Sequence, residues 1–129
     1  MVEGENAPIV LVAAREELLN KLRNALADTV GLLHAETHHE AITLLERLQT
    51  EISIAIVQLE HSNGWGLIGE LTRRPKFLKI IATTSVYPTH VLEKVKDLGV
   101  DAVVPEKIPA EEWRKTVETV LGQTSRPTN

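Results

Sequence analysis

Ile52-Ser53-Ile54-Ala55-Ile56-Val57-Gln58 reads as a β-strand buried on both faces, because its apolar, largely β-branched residues run on without the alternation of a half-exposed strand. Its last residue falls at the carboxyl edge of the sheet, where a carboxylate would be a nucleophile and an amide is not. A loop over residues 59–64 follows. Leu67, Ile68 and Leu71 then mark a short helix stopped before Pro75, and Gly64 and Gly66 keep the intervening turn pliable.

The same strand-helix unit recurs in both directions from this strand. Upstream, a strand over Ile9–Ala13 precedes a helix with Leu18, Leu19, Leu22 and Leu26 on one face. A second strand at Gly31–Ala35 precedes a helix opened by Thr37 and Glu40 in a capping-box pattern, with Ala41, Leu44, Leu45 and Leu48 on its buried side. Downstream, a strand over Leu78–Thr83 leads to a helix with Pro88 in its first turn, apolar at Val91, Leu92, Val95 and Leu98 and ended by Gly99. The fifth strand is Asp101–Val104, and the last helix opens near Pro109 and buries Trp113, Val117, Val120 and Leu121. Five such units predict an α/β fold with a parallel sheet, since right-handed crossovers place helices on both faces. Ligands in such sheets bind beyond the carboxyl ends of the strands, so the residues after each strand carry the functional question.

Composition narrows the function. The chain has 129 residues, 43% of them hydrophobic, enough for a single domain expected over residues 1–122, with a polar tail at 123–129. Fourteen basic against 18 acidic residues leave a net charge of −4, which argues against nucleic acid and anionic membrane as partners. The absence of cysteine excludes disulfides, thiolate metal sites and thiol catalysis, and fits a reducing cytoplasm. No apolar run approaches the roughly 20 residues needed to cross a bilayer, and residues 1–6 lack the basic flank and apolar stretch of a signal peptide. The expected location is the cytoplasm.

Over roughly Ala7 to Gly122 the layout resembles the response-regulator receiver domain, a flavodoxin-like fold whose five strands lie in the order 2-1-3-4-5. The resemblance is carried by Ile9-Val10-Leu11-Val12-Ala13-Ala14, Val57-Gln58-Leu59-Glu60-His61-Ser62-Asn63-Gly64-Trp65-Gly66-Leu67, Ile80-Ile81-Ala82-Thr83-Thr84-Ser85 and Gly99-Val100-Asp101-Ala102-Val103-Val104-Pro105-Glu106-Lys107. It implies that Ala13 and Ala14 stand at the family's acidic pair and Gln58 at its phosphoaccepting aspartate. Thr84 stands at the switch hydroxyl, Val103 at the switch aromatic and Glu106 at the lysine. Lys107 replaces that lysine only if the alignment slips by one residue. Aspartyl phosphorylation requires carboxylate oxygens to hold a hard divalent cation, and three such carboxylates are missing. Glu106 turns an attractive charge into a repulsive one. The resemblance therefore implies a degenerate receiver with no cofactor, no bound metal and no enzymatic activity.

Other constellations have ordinary explanations. Glu16 and Glu17 suit the dipole at a helix start, and Glu60 reads as a solvated loop residue rather than a substitute phosphoacceptor. His34, His38, His39, His61 and His90 lack metal-ligand spacing, since neighbouring helix positions diverge by about 100°. Consecutive Glu60-His61-Ser62 do not converge as a triad without separate supporting partners. Gly64 and Gly66 are turn residues rather than a dinucleotide fingerprint, and the cluster of Arg73, Arg74, Lys76 and Lys79 lacks a nucleic-acid motif around it. Trp65 lies beside the site as either a lid or a partner-binding anchor.

The resulting expectation is a stand-alone signalling module of a two-component or phosphorelay pathway, independent of phosphorylation and acting through protein contacts. In the family, the surface of helix four, strand five and helix five commonly meets partners or a second copy. Its counterparts here are Lys94, Lys96, Asp97, Val103, Arg114, Lys115 and Glu118. The partner is a signalling protein, and a homodimer is a further candidate. The alternative is a small-ligand sensor in which Gln58, Glu60, Thr84 and Glu106 line a pocket for an uncharged or cationic ligand.

Overall fold

The computed structural model describes residues 7–26, 28–48, 51–74, 78–85 and 89–122. The elements alternate as β1 (Ile9–Ala13), α1 (Glu16–Leu26), β2 (Gly31–Ala35), α2 (His38–Leu48), β3 (Ile52–Gln58), α3 (Gly64–Leu71), β4 (Lys79–Thr84), α4 (Thr89–Asp97), β5 (Ala102–Pro105) and α5 (Ala110–Gly122). All pairings are parallel and the sheet order is β2-β1-β3-β4-β5, as expected, with β3 central. Among the described residues no helix is long and apolar enough to cross a membrane. Residues 1–6, the tail at 123–129, and Pro75, Lys76 and Pro88 lie outside the described set.

Strand side chains alternate between two cores because a β-strand repeats every second residue. Leu11, Ala55, Val57, Ile80 and Ala82 face α2, α3 and α4 through Ala41, Leu45, Leu67, Ile68, Leu71 and Val95. Val10, Val12, Ile54, Ile56 and Ile81 face α1 and α5 through the leucines of α1 with Trp113, Val117 and Val120. The fully buried Trp113 fills the seam where α1 and α5 pack together.

Local chemistry sets the element ends. Thr37 Oγ1 accepts from Glu40 N (3.0 Å), and Glu40 Oε1 accepts from Glu36 N (2.7 Å), so the capping box at α2 closes one residue further out than its usual form. Gly99 takes a φ of 98°, the left-handed conformation that ends α4. β4 and β5 each begin and end one residue later than the apolar pattern suggests. Asp101 is the cause at β5: its Oδ2 accepts from Ile80 N and its own N–H donates to Ile80 O, both at 2.8 Å, so it clips the chain to β4 before the ladder starts. Pro105 closes β5 without cost to the ladder because β5 is an edge strand. Leu98 departs from its expected burial. It lies beyond the last helical residue, Asp97, and is 37% exposed.

Candidate functional site at the carboxyl edge

Gln58 ends the central strand and is almost completely buried, 2% exposed. Its Oε1 accepts from Arg15 N at 2.9 Å, in the turn after β1. Its Nε2 donates to the carboxylate of Glu106, 2.7 Å from Oε2 and 3.1 Å from Oε1. Glu106 reaches this position because its N–H donates to Thr84 O (3.1 Å), carrying the β4–β5 ladder one step past the strand. From α1, Lys21 Nζ donates to Glu106 O at 3.3 Å. Accepting from a main-chain N–H while donating to a carboxylate requires a side chain with both functions. An amide has them, whereas an ionised carboxylate only accepts.

Ala13 and Ala14, at and just after the end of β1, send their methyl groups into opposite cores. Ala13 packs into the core under α2, α3 and α4, and Ala14 into the core under α1 and α5. His34 on β2 lies with Nε2 2.8 Å from Ala14 O, so that nitrogen carries the proton and donates.

Glu60 is an exposed loop residue, as expected, but its carboxylate is engaged rather than surrounded by solvent alone. Its carboxylate accepts from the hydroxyl of Thr84 and from Ser85 N–H (3.2 Å), joining the loop after β3 to the end of β4. The same loop is held on its opposite side. His61 Nε2 donates to Glu36 O (2.6 Å) and Ser62 Oγ accepts from His38 N (2.8 Å). Glu60 therefore points to β4 while His61 engages Glu36, between β2 and α2, and Ser62 engages His38, the first residue of α2, so the three do not converge. Ser62 and Asn63 both have positive φ, 47° and 57°. That conformation is uncommon for non-glycine residues and persists where surrounding bonds over-determine it. Asn63 adds one such bond, its Oδ1 capping α3 by accepting from Gly66 N at 3.3 Å.

Among the described residues no group of three or more His, Asp or Glu side chains is placed to hold a metal ion. His38 instead faces Glu70, with Nε2 4.0 Å from Oε1.

The expected interaction residues divide into separate patches. Lys94, Lys96, Asp97, Arg114, Lys115 and Glu118 are all exposed, and Val103 on β5 is half-buried. Arg114 and Glu118 pair across one turn of α5 at 3.6 Å. Lys115 borders a shallow groove of about 300 Å³ beside β5. Trp65 lines a groove of about 260 Å³ with Lys94 and Leu98, so it faces α4 rather than lying over Gln58 as a lid. Leu98 was not anticipated at this surface, and neither were Lys21, His34 and Ser85 at the site.

No protein-family model matches the chain, and no curated protein matches it in sequence. Its likeness is to solved structures, and the fold is that of response-regulator receiver domains. A response regulator from Thermotoga maritima superposes with a TM-score of 0.80 at 19% identity, covering 91% of this chain and 99% of that one. The non-phosphorylated HemR receiver domain from Leptospira biflexa gives 0.81 at 22% identity, over 95% and 99% of the two chains. The phosphorylated cyanobacterial phytochrome response regulator RcpA gives 0.76 at 14% identity, again over 95% and 99%.

Proposed function

We propose that this chain is a receiver-fold signalling module of a two-component-type pathway that works without aspartyl phosphorylation, without a divalent cation and without catalysis, by contact with a protein partner. The observation that carries this reading is the bonding of Gln58. Its nitrogen is a delocalised amide rather than a nucleophile, and that nitrogen faces Glu106, whose negative charge repels an incoming phosphoryl group. A hard cation seeks oxygen ligands, but Gln58 Oε1 accepts from Arg15 N–H, and Ala13 and Ala14, whose methyl groups are buried in the two cores, bring no side-chain oxygen. These residues do not fit magnesium. Glu60, the acid nearest in sequence to Gln58, is engaged by Thr84 and Ser85.

The same saturation weighs against a small-ligand sensor, because Gln58, Glu60, Thr84 and Glu106 are bonded to one another or to the backbone. The exposed residues remain for recognition. Trp65 offers an exposed aromatic anchor beside Lys94 and Leu98, and tryptophan is enriched among the residues that dominate protein interfaces.

Incubation with acetyl phosphate and magnesium, followed by intact-mass measurement, tests the reading. The expected spectrum shows no phosphoryl adduct, and millimolar magnesium leaves the melting temperature unchanged. A stoichiometric gain of one phosphoryl group overturns the proposal.

A further inference from the structure

The loop between β3 and α3 contains a single acid, Glu60, and two donors on successive residues meet its carboxylate: the hydroxyl of Thr84, the last residue of β4, and the main-chain N–H of Ser85. One donor comes from a buried side chain and the other from the backbone, so the pair is fixed by the strand end rather than by a mobile surface group. Charge-assisted bonds from two fixed donors to one carboxylate are short and specific. Gln58 next to them is neutral. We propose that the end of β4 is a carboxylate-binding site which the chain fills with its own Glu60, and that this internal ligand clamps the β3–α3 loop against β4 without any added group. The proposal rests on the reading that no phosphoryl group enters at Gln58.

The rest of the loop shows what the clamp contributes. His61 ties it to Glu36, just after β2, and Ser62 ties it to His38 at the start of α2. Beyond the main-chain bond from Leu59 N–H to Thr83 O (2.9 Å), Glu60 supplies the side-chain ties to the β4 end. With those ties removed, the left-handed Ser62 and Asn63 lose part of the bonding that holds them in place. Trp65, in the first turn of α3, follows directly on this loop, so the clamp fixes the base from which the exposed aromatic projects. Because Glu60 is itself exposed, removing its side chain opens the two donors to a small carboxylate from solvent.

Glu60→Ala with sodium acetate is the test. The variant should melt lower by about 3–6 °C, and its Ser85 amide resonance should shift. Acetate at roughly 10–100 mM, the range of a weak two-bond contact, should return both saturably. Sodium chloride at equal ionic strength should not, and the wild-type chain should be insensitive to acetate. Adding Thr84→Val to Glu60→Ala should abolish the rescue. An unmoved Ser85 resonance in Glu60→Ala, a failure of acetate to rescue, or equal rescue by chloride overturns the proposal. A phosphoryl adduct at Gln58 would instead overturn the functional reading, and the mass measurement reports it separately from the acetate titration.

Discussion

Gln58→Asp is expected to lower the melting temperature by on the order of 10 °C at neutral pH, and adding Glu106→Lys is expected to recover most of that loss. Gln58 Nε2 lies 2.7 and 3.1 Å from the oxygens of Glu106. The substitution removes the only donor Gln58 offers to that carboxylate and sets a second carboxylate beside it at a position 2% exposed. A lost charge-assisted bond together with an uncompensated buried charge costs about 2–4 kcal/mol. The pH dependence has a definite sign. Two facing carboxylates raise the folded-state pKa of the pair above its unfolded value, so stability is retained at low pH and lost as pH rises through the raised value. The deficit of the single variant should therefore shrink as pH falls toward about 4. The double variant restores opposite charges and should show little such dependence. A double-mutant cycle isolates the coupling; a coupling near zero would mean that Gln58 and Glu106 act independently.

That pair also shows where sequence reading stops. β1 and β3 are legible to the residue because strands buried on both faces appear as continuous apolar runs, a local property. Taken singly, Gln58 and Glu106 read as two losses, an acid replaced by an amide and a base replaced by an acid. Together they are one donor-acceptor match between residues 48 apart in the chain, and only the register of β3, β4 and β5 brings them into contact. Glu60 and Thr84, 24 apart, show the same limitation. Nothing in the loop sequence distinguishes a glutamate in solvent from one bonded across a strand end. The direction of Trp65 depends on the rotation of α3 about its axis, which tertiary packing sets. Leu98 matched the apolar spacing of α4 but lies past its end, where helical spacing no longer determines the direction of a side chain.

Packing at the start of α3 leads to the second large effect, Gly64→Ala. A Cβ built at Gly64 would lie 2.4 Å from Gln58 O, 2.8 Å from Leu59 Cα and 2.9 Å from Leu59 O. All three are backbone atoms, which cannot swing aside as the end of a flexible side chain can. To admit one methyl group the helix must back away from β3, at a cost of about 2–4 kcal/mol from overpacking, or about 6–15 °C in melting temperature. Gly69 in the same helix is the control, since a Cβ there meets nothing within 4 Å. Gly69→Ala should raise stability by about 0.5–1 kcal/mol through helix propensity alone. The loop bearing Glu60 lies between β3 and α3, so displacement of the helix should also disturb its bonds to Thr84 and Ser85. Gly64→Ala is therefore expected to shift the Ser85 amide resonance although the substituted residue does not touch Ser85, whereas Gly69→Ala leaves it in place. Equal stabilities for the two variants would mean that α3 does not sit against the end of β3 as closely as these distances require. A destabilised Gly64→Ala with an unmoved Ser85 signal would instead separate the packing of the helix from the clamp at the end of β4.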